Sequence, residues 1–328
     1  MAKVSRREFL AAASGVAVAA AALPFQIRDP KYSVTIGPPF RVGVINDEIS
    51  QDFDHACEVA AMEFRMEWIE LRGMWNKNIV NLDADEVARA RRIIEKHRLK
   101  VTDIASPLFK VDWPGAPKSK FSPTGAQFNA DFTYDQQDDV LERAIDMAKA
   151  FGTDRIRCFD FWRLEDQGPY RLAMSDRLRV AAETAAKSGI ILVLENEAAC
   201  NTATGAEAAR VLSEVKSQNF MLNWDAGNAA AAGEIPYPDG YARLPKGRIG
   251  HCHCKDAVKK PGGGTEWAAM GTGFIDWVGQ FRALKNDGYH YAVSLETHWR
   301  GAGTPEESTR QSWKGMNAAL EKAMNTSG

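Results

Sequence analysis

The sequence predicts a single-domain (β/α)8 barrel, and three observations carry that prediction. Eight short β-rich runs alternate with longer helical patterns from residue 40 onward. Most of these runs are nearly continuous in apolar residues, as strands covered on both faces should be. Strands that alternate with helices pair in parallel, and eight units in about 290 residues suit a closed barrel better than an open doubly wound sheet. No Gly-x-Gly-x-x-Gly follows the first run, which removes the dinucleotide signature of the open-sheet alternative.

The N-terminus is read apart from the barrel. Ser5-Arg6-Arg7-Glu8-Phe9-Leu10 precedes an apolar stretch from Leu10 to Leu23, broken by Ser14 and Gly15. A basic segment, an apolar segment and Ala-x-Ala sites near Ala20 to Ala22 make residues 1–22 a signal peptide of the twin-arginine kind. That implies recognition by the twin-arginine export machinery and a periplasmic destination. The apolar run is shorter than the roughly 20 residues a spanning helix needs. No cysteine is near the cleavage region, so no stable membrane anchor is expected. Residues 23–39, with Pro24, Pro30, Pro38 and Pro39, read as an extended leader.

The strands are expected at Arg41–Asn46, Glu67–Leu71, Lys100–Ala105, Arg155–Phe159, Ile190–Glu195, Phe220–Asp225, Arg248–His253 and Tyr291–Glu296. Helices are expected at Asp83–His97, Gln136–Phe151, Tyr170–Ser188, Thr204–Lys216, Phe274–Asn286 and Pro305–Met324. Thr204 and Glu207 have capping-box spacing. Gly152, Gly189 and Gly288 fall where helix ends need a left-handed residue. Between the third strand and the next helix, residues 106–135 show no clear period and carry six aromatics. A loop of that length on the C-terminal face of a barrel is expected to act as a lid.

Composition narrows the partners. The net charge is −2 and no basic stripe stands out, which argues against nucleic acid. The five cysteines lack the spacing of a disulfide framework and read as small buried apolar groups. A homo-oligomer is compatible with the sequence.

The chemistry concentrates at the tips of strands five to eight. Their apolar runs end on Glu195, Asp225, His253 and Glu296 in turn. Adjacent strands are about 4.8 Å apart, so three gaps span roughly 14 Å along the sheet. Barrel curvature brings inward side chains closer, and the four side chains can converge on one ion. Three carboxylates and an imidazole suit one divalent cation: Mn²⁺, Co²⁺, Mg²⁺ or Zn²⁺. His251 and Glu197 are rival ligands, two residues from His253 and Glu195. Glu70, Arg72, Lys255, Asp256 and His298 stand at the same mouth, either touching substrate or forming rim salt bridges.

The sequence resembles the xylose isomerase-like barrel superfamily, in its sugar phosphate isomerase/epimerase branch, an AP endonuclease family 2-like barrel. The resemblance rests on Gly43 to Ser50, Ile69 to Gly73, Ala105 to Leu108, Leu194-Glu195-Asn196, Trp224 to Asn228, His253 to Asp256 and Ser294 to His298. It implies a metal quartet at Glu195, Asp225, His253 and Glu296. It also implies isomerase or epimerase chemistry on a small carbohydrate. Glu195 and Glu296 would then move protons on opposite faces of the substrate through an enediolate. Asn228 stands where relatives place a substrate-touching histidine.

Three alternatives remain. A lyase or dehydratase acting on a keto-sugar, keto-inositol or keto-glycoside uses the same first step. A non-catalytic periplasmic sugar-binding protein would not need all four ligands. A nuclease like endonuclease IV needs more histidines than the six here, and its Asp-x-x-His reads Asp225-Ala226-Gly227-Asn228.

Overall fold

The computed structural model describes residues 38–125 and 130–325. The expected signal peptide, all of the expected leader except Pro38 and Pro39, and residues 126–129 of the expected lid lie outside the described residues. Eight parallel strands form one sheet. They are β1 (Arg41–Val44), β2 (Trp68–Leu71), β3 (Lys100–Leu108), β4 (Arg155–Cys158), β5 (Ile191–Glu195), β6 (Phe220–Asp225), β7 (Ile249–Cys254) and β8 (Ala292–Leu295). Each strand pairs with its neighbours in chain order, β1 pairs with β8, and a parallel bridge from Ile45 to Glu70 closes the ring. The sheet is therefore the expected barrel.

The main outer helices are α1 (Phe53–Glu58), α2 (Ala84–His97), α3 (Gln137–Phe151), α4 (Arg171–Ala186), α5 (Gly205–Glu214), α6 (Ala226–Ala231), α7 (Trp277–Asn286) and α8 (Pro305–Asn325). Their ends follow local chemistry. Asp83 with Glu86, and Thr204 with Glu207, form capping boxes at α2 and α5, satisfying N–H groups that the first helical turn leaves free. Gly152, Gly189 and Gly288 take φ of 70°, 71° and 73°. All five cysteines are buried and unpaired.

The strand interiors differ from the expected picture of apolar runs on both faces. Ile156, Cys158, Leu192, Leu194, Leu222, Trp224, Cys252, Cys254, Val293 and Leu295 join the apolar layer beneath the helices. The alternate positions face the barrel axis, and beside the apolar Val193, Met221 and Ala292 many of them are polar. Arg155, Arg157, Glu195, Asn223, Asp225, His251, His253 and Ser294 are all buried. Branched apolar residues usually fill such an interior. This barrel instead places charged side chains against one another in its upper layers.

Two strand ends shift. β1 stops at Val44 because Asn46 opens a short helix, Asn46–Ile49, whose first side chain accepts the Arg72 backbone N–H at 3.0 Å. β3 runs on to Leu108, where it pairs with Cys158, and the Ser106 hydroxyl donates to the Arg157 carbonyl at 2.6 Å. The long loop thus begins at Phe109. Several of its aromatics are turned into the core: Phe109 is buried, and Trp113 packs against Phe161 at 4.7 Å and Tyr134 at 5.5 Å. Two hairpins on the mouth were not anticipated, Gly73–Met74 with Lys77–Asn78 and Asp256–Lys259 with Thr265–Ala268.

The second hairpin is tied down by α8. A Cβ at Gly315 would lie 1.6 Å from the Met270 carbonyl oxygen, so the helix can approach that backbone only without a side chain there. Gly315→Ala is expected to destabilise the protein by about 1–3 kcal/mol, the usual cost of forced overpacking. Gly247→Ala, where nothing lies within 4 Å, serves as the control in thermal denaturation. Equal melting temperatures for both variants would contradict this packing.

Candidate metal centre and active site

Register brings the four predicted ligands together. β6 and β7 pair Asp225 with His253, and β7 and β8 pair His253 with Ser294, two residues before Glu296. His253 Nδ1 lies 3.4 Å from Glu195 Oε1, 3.8 Å from Asp225 Oδ2 and 3.2 Å from Glu296 Oε2. One donor atom from each of the four residues falls within 4.8 Å of all the others, and all four residues are buried.

Each carboxylate has at least one cationic partner. Arg157 reaches Glu195 Oε2 at 3.1 Å, Arg72 reaches Glu296 Oε1 at 2.6 Å, and Lys255 reaches Asp225 Oδ2 at 2.8 Å. Lys255 also lies 2.6 Å from Glu296 Oε2. Its stem is admitted by Gly227, where a Cβ would sit 2.1 Å from Lys255 Cγ. The glycine in Asp225-Ala226-Gly227-Asn228 therefore makes room for the lysine of the following strand.

These partners decide the charge states. Burial alone would raise the Glu195 carboxyl, but His253 and Arg157 outweigh it and hold the group at about 2. Burial likewise works against ionised Glu296, and Lys255, His298 and His253 bring it well below the usual range. For Asp225, burial wins over Lys255 and the carboxyl is pushed up to about 6. Burial disfavours a charged His253, yet Glu70, Glu195 and Glu296 hold its imidazole well above its ordinary value.

The remaining predicted residues divide by depth. Asn228 donates to Glu195 Oε1 at 3.1 Å, and its backbone N–H donates to Asp225 Oδ1 at 2.7 Å. Arg72 and His298 line the cavity above the quartet, and His298 Nε2 lies 3.2 Å from Glu296 Oε1. Glu70 lies beneath, fully buried, between His251 and His253. His251 faces that deeper layer. Glu197 is drawn aside to Lys110 at 3.3 Å. Asp256 is turned away from the cavity, because its carboxylate accepts backbone N–H bonds from Ala257, Gly271 and Gly273 at 2.9, 2.9 and 3.0 Å. It holds the base of the hairpin in place.

The cavity above the quartet has a volume of about 580 Å³. Sequence reading missed several of its walls: Asp47 and Glu48 after β1, Arg157 on β4, Phe159 just beyond it, Trp267 on the hairpin, and Arg300 after β8. Arg157 carried a signal, since two arginines alternate inside the short strand Arg155–Cys158. Trp267 carried none, because the hairpin that presents it was not foreseen. Glu48 is held at about 2: burial opposes its charge, but Arg72, His298 and Arg300 together prevail.

The donor set fits a divalent ion. His253 Nδ1 is buried without a hydrogen-bond partner, and Glu195 Oε2, Asp225 Oδ2 and Glu296 Oε2 are buried and met by ion pairs to Arg157 and Lys255, so an imidazole nitrogen and three carboxylates face one point that a cation would satisfy. Carboxylate and imidazole donors suit the hard or borderline divalent metals.

The xylose isomerase-like TIM barrel family matches residues 58–319, and the chain belongs to that family. No curated protein matches it. The IOLI protein with a bound zinc atom is similar, with a TM-score of 0.66 at 16% identity over 88% of this chain and all (100%) of that one. The probable 3-DHS dehydratase AsbF from Bacillus anthracis aligns with a TM-score of 0.64 at 19% identity, covering 85% of this chain and 98% of its own. The 3-keto-D-glucoside 4-epimerase YcjR from E. coli gives 0.61 at 18% identity, covering 85% and 99%. At such identities the likeness is one of fold.

An ion held by the quartet would compete with the Lys255 ammonium, which lies 2.8 Å from Asp225 Oδ2 and 2.6 Å from Glu296 Oε2. Two unit charges 4 Å apart interact by about 4 kcal/mol at an effective dielectric of 20, and a divalent ion doubles this. Lys255→Met is therefore expected to bind Mn²⁺ or Zn²⁺ at least about tenfold more tightly in calorimetric titration. Equal or weaker binding would contradict a competing ammonium.

Proposed function

We propose that this protein is a metal-dependent sugar isomerase or epimerase that removes a proton next to a carbonyl and proceeds through an enediolate. One observation carries the reading. Glu195 and Glu296 present one oxygen each toward the same imidazole nitrogen, 3.4 and 3.2 Å away, at the floor of one cavity. Their other oxygens are held by Arg157 and Arg72. Both are ionised at neutral pH, and their directions are fixed before substrate arrives.

A divalent ion on Glu195, Asp225, His253 and Glu296 would supply the Lewis acidity that acidifies a carbon next to a carbonyl. The protein's own groups do the rest. Glu195 or Glu296 accepts the proton, and the opposite glutamate can return one to the other face of the carbon, which inverts it. Phe159 and Trp267 offer apolar surface to a sugar ring. Asn228 steadies Glu195. The charged side chains lining the cavity occur in pairs, Lys110 with Glu197 and Arg300 with Glu48 among them, which favours a neutral polyol.

The same first step serves elimination, and one residue favours that second reading. His298 lines the cavity beside Glu296, where an imidazole can protonate a departing oxygen. A keto-sugar, keto-inositol or keto-glycoside would then lose a β-substituent. The twin-arginine pattern at Ser5 to Leu10 supports export to the periplasm, where unphosphorylated sugars are the available substrates. The rest of the 109–133 loop supports a lid reading, since Lys110 and Ala130 line the cavity.

The test is incubation of ketoses, keto-glycosides and inosose-type compounds in D₂O with Mn²⁺- or Zn²⁺-loaded enzyme, followed by NMR. Deuterium is expected at the carbon next to the carbonyl. Glu195→Gln or Glu296→Gln is expected to lower that exchange by about 10²–10⁴, the usual loss on removing a general base. Metal content is measured in each variant, because both glutamates are also candidate ligands. Turnover without exchange in either direction, with both metal-loaded variants near the wild-type rate, would exclude the enediolate.

A further inference from the structure

Beneath the quartet, the barrel axis holds a second layer that the proposed chemistry does not use. Its centre is Glu70 on β2, fully buried and outside the cavity lining. Glu70 Oε1 lies 2.9 Å from His253 Nε2, and Glu70 Oε2 lies 2.9 Å from His251 Nε2. A carboxylate only accepts, so both imidazoles must present Nε2–H to it. Asn223 Nδ2 also lies 3.1 Å from His253 Nε2, while Asn223 Oδ1 is buried without a partner. Amide oxygen and nitrogen are assigned from the network they make, and turning this amide gives the same His253 N–H a second acceptor and leaves no clash of donors.

We propose that Glu70 is a positioning residue for the metal centre: it fixes the proton of His253 on Nε2, so that Nδ1 is the nitrogen offered to the ion. This rests on the reading of Glu195, Asp225, His253 and Glu296 as metal ligands. The other tautomer would direct a proton at the three carboxylate oxygens and leave no lone pair for the ion. Ligating histidines elsewhere use a carboxylate in this manner, and losing it typically costs about 10–100-fold in metal affinity. Here the carboxylate comes from the far side of the ring, since the Ile45–Glu70 bridge is also the seam where the barrel closes. Closing the barrel therefore sets the direction of the metal-binding nitrogen. His251 takes the second oxygen and keeps Glu70 from rotating.

The experiment compares wild type, Glu70→Gln and Glu70→Leu. Zinc affinity is read by competition with a chelating dye, and the imidazole N–H signals of ¹⁵N-histidine-labelled protein are read by NMR with and without zinc. Thermal melts establish that the variants are folded. Glu70→Leu is expected to bind zinc about 10–100-fold more weakly, and to lose or shift upfield the low-field Nε2–H signal of His253. Glu70→Gln offers one acceptor oxygen to two rings and is expected to fall between the two. A His253 Nε2–H signal unmoved in the folded variants, or zinc affinity within threefold of wild type, overturns the proposal. If Glu70→Leu does not fold, Glu70→Gln and the wild-type signals decide. If wild type binds no zinc or manganese, the metal reading falls, while the N–H signals of the metal-free protein still decide whether Glu70 holds His253.

Discussion

Three buried carboxylates set the terms for the rest of this barrel. Glu195, Asp225 and Glu296 are taken out of water within a few ångströms of one another, and like charges in that setting either protonate or find cations. Arg157, Arg72 and Lys255 supply one cation to each. Each cation needs its own support. Arg157 donates to the carbonyls of Ala105 and Ser106 at 3.0 and 3.3 Å, Arg72 is shared with Asp47 and Glu48, and Lys255 depends on the missing side chain of Gly227. The polar interior extends outward from the quartet through these supports until it meets backbone.

The same constraint explains why the centre sits at the strand ends. Parallel pairing staggers the strands so that Asp225 and His253 are level and Glu296 arrives one residue beyond β8. The apolar layer under the helices is uninterrupted on the other face. Stability and chemistry are thereby separated by the two-residue period of the strand: one side chain packs outward, the next points to the axis. The loops then add selectivity. The Asp256–Ala268 hairpin brings Trp267 to the cavity wall, and the segment after β3 contributes Pro107 and Lys110.

Much of this was legible in the residues. The barrel followed from the alternation of runs, and the quartet followed from four successive runs ending on Glu195, Asp225, His253 and Glu296. What sequence did not show was depth. Glu70 and Arg72 are two residues apart on one strand face, yet one is sealed below the quartet and the other lines the cavity. Asp256 looked like a mouth residue, but its carboxylate is occupied by backbone N–H groups of a loop some 15 residues ahead. Glu48 and Arg300 come together from opposite ends of the chain at 2.9 Å, and only closure of the barrel makes them neighbours. The six aromatics after β3 marked the loop as a lid without showing how they pack; Trp113 and Tyr134 rest against Phe161, because a long loop needs a core of its own.

The central claim is that one ion is held by four side chains from four consecutive strands. Anomalous diffraction from crystals loaded with Mn²⁺ or Zn²⁺ tests it most directly. One strong peak is expected about 2.0–2.6 Å from Glu195, Asp225, His253 Nδ1 and Glu296, the range for such ligands, with the Lys255 ammonium withdrawn. A peak held instead by Glu48, Glu296 and His298, or no peak at the barrel mouth in fully loaded crystals, would contradict it.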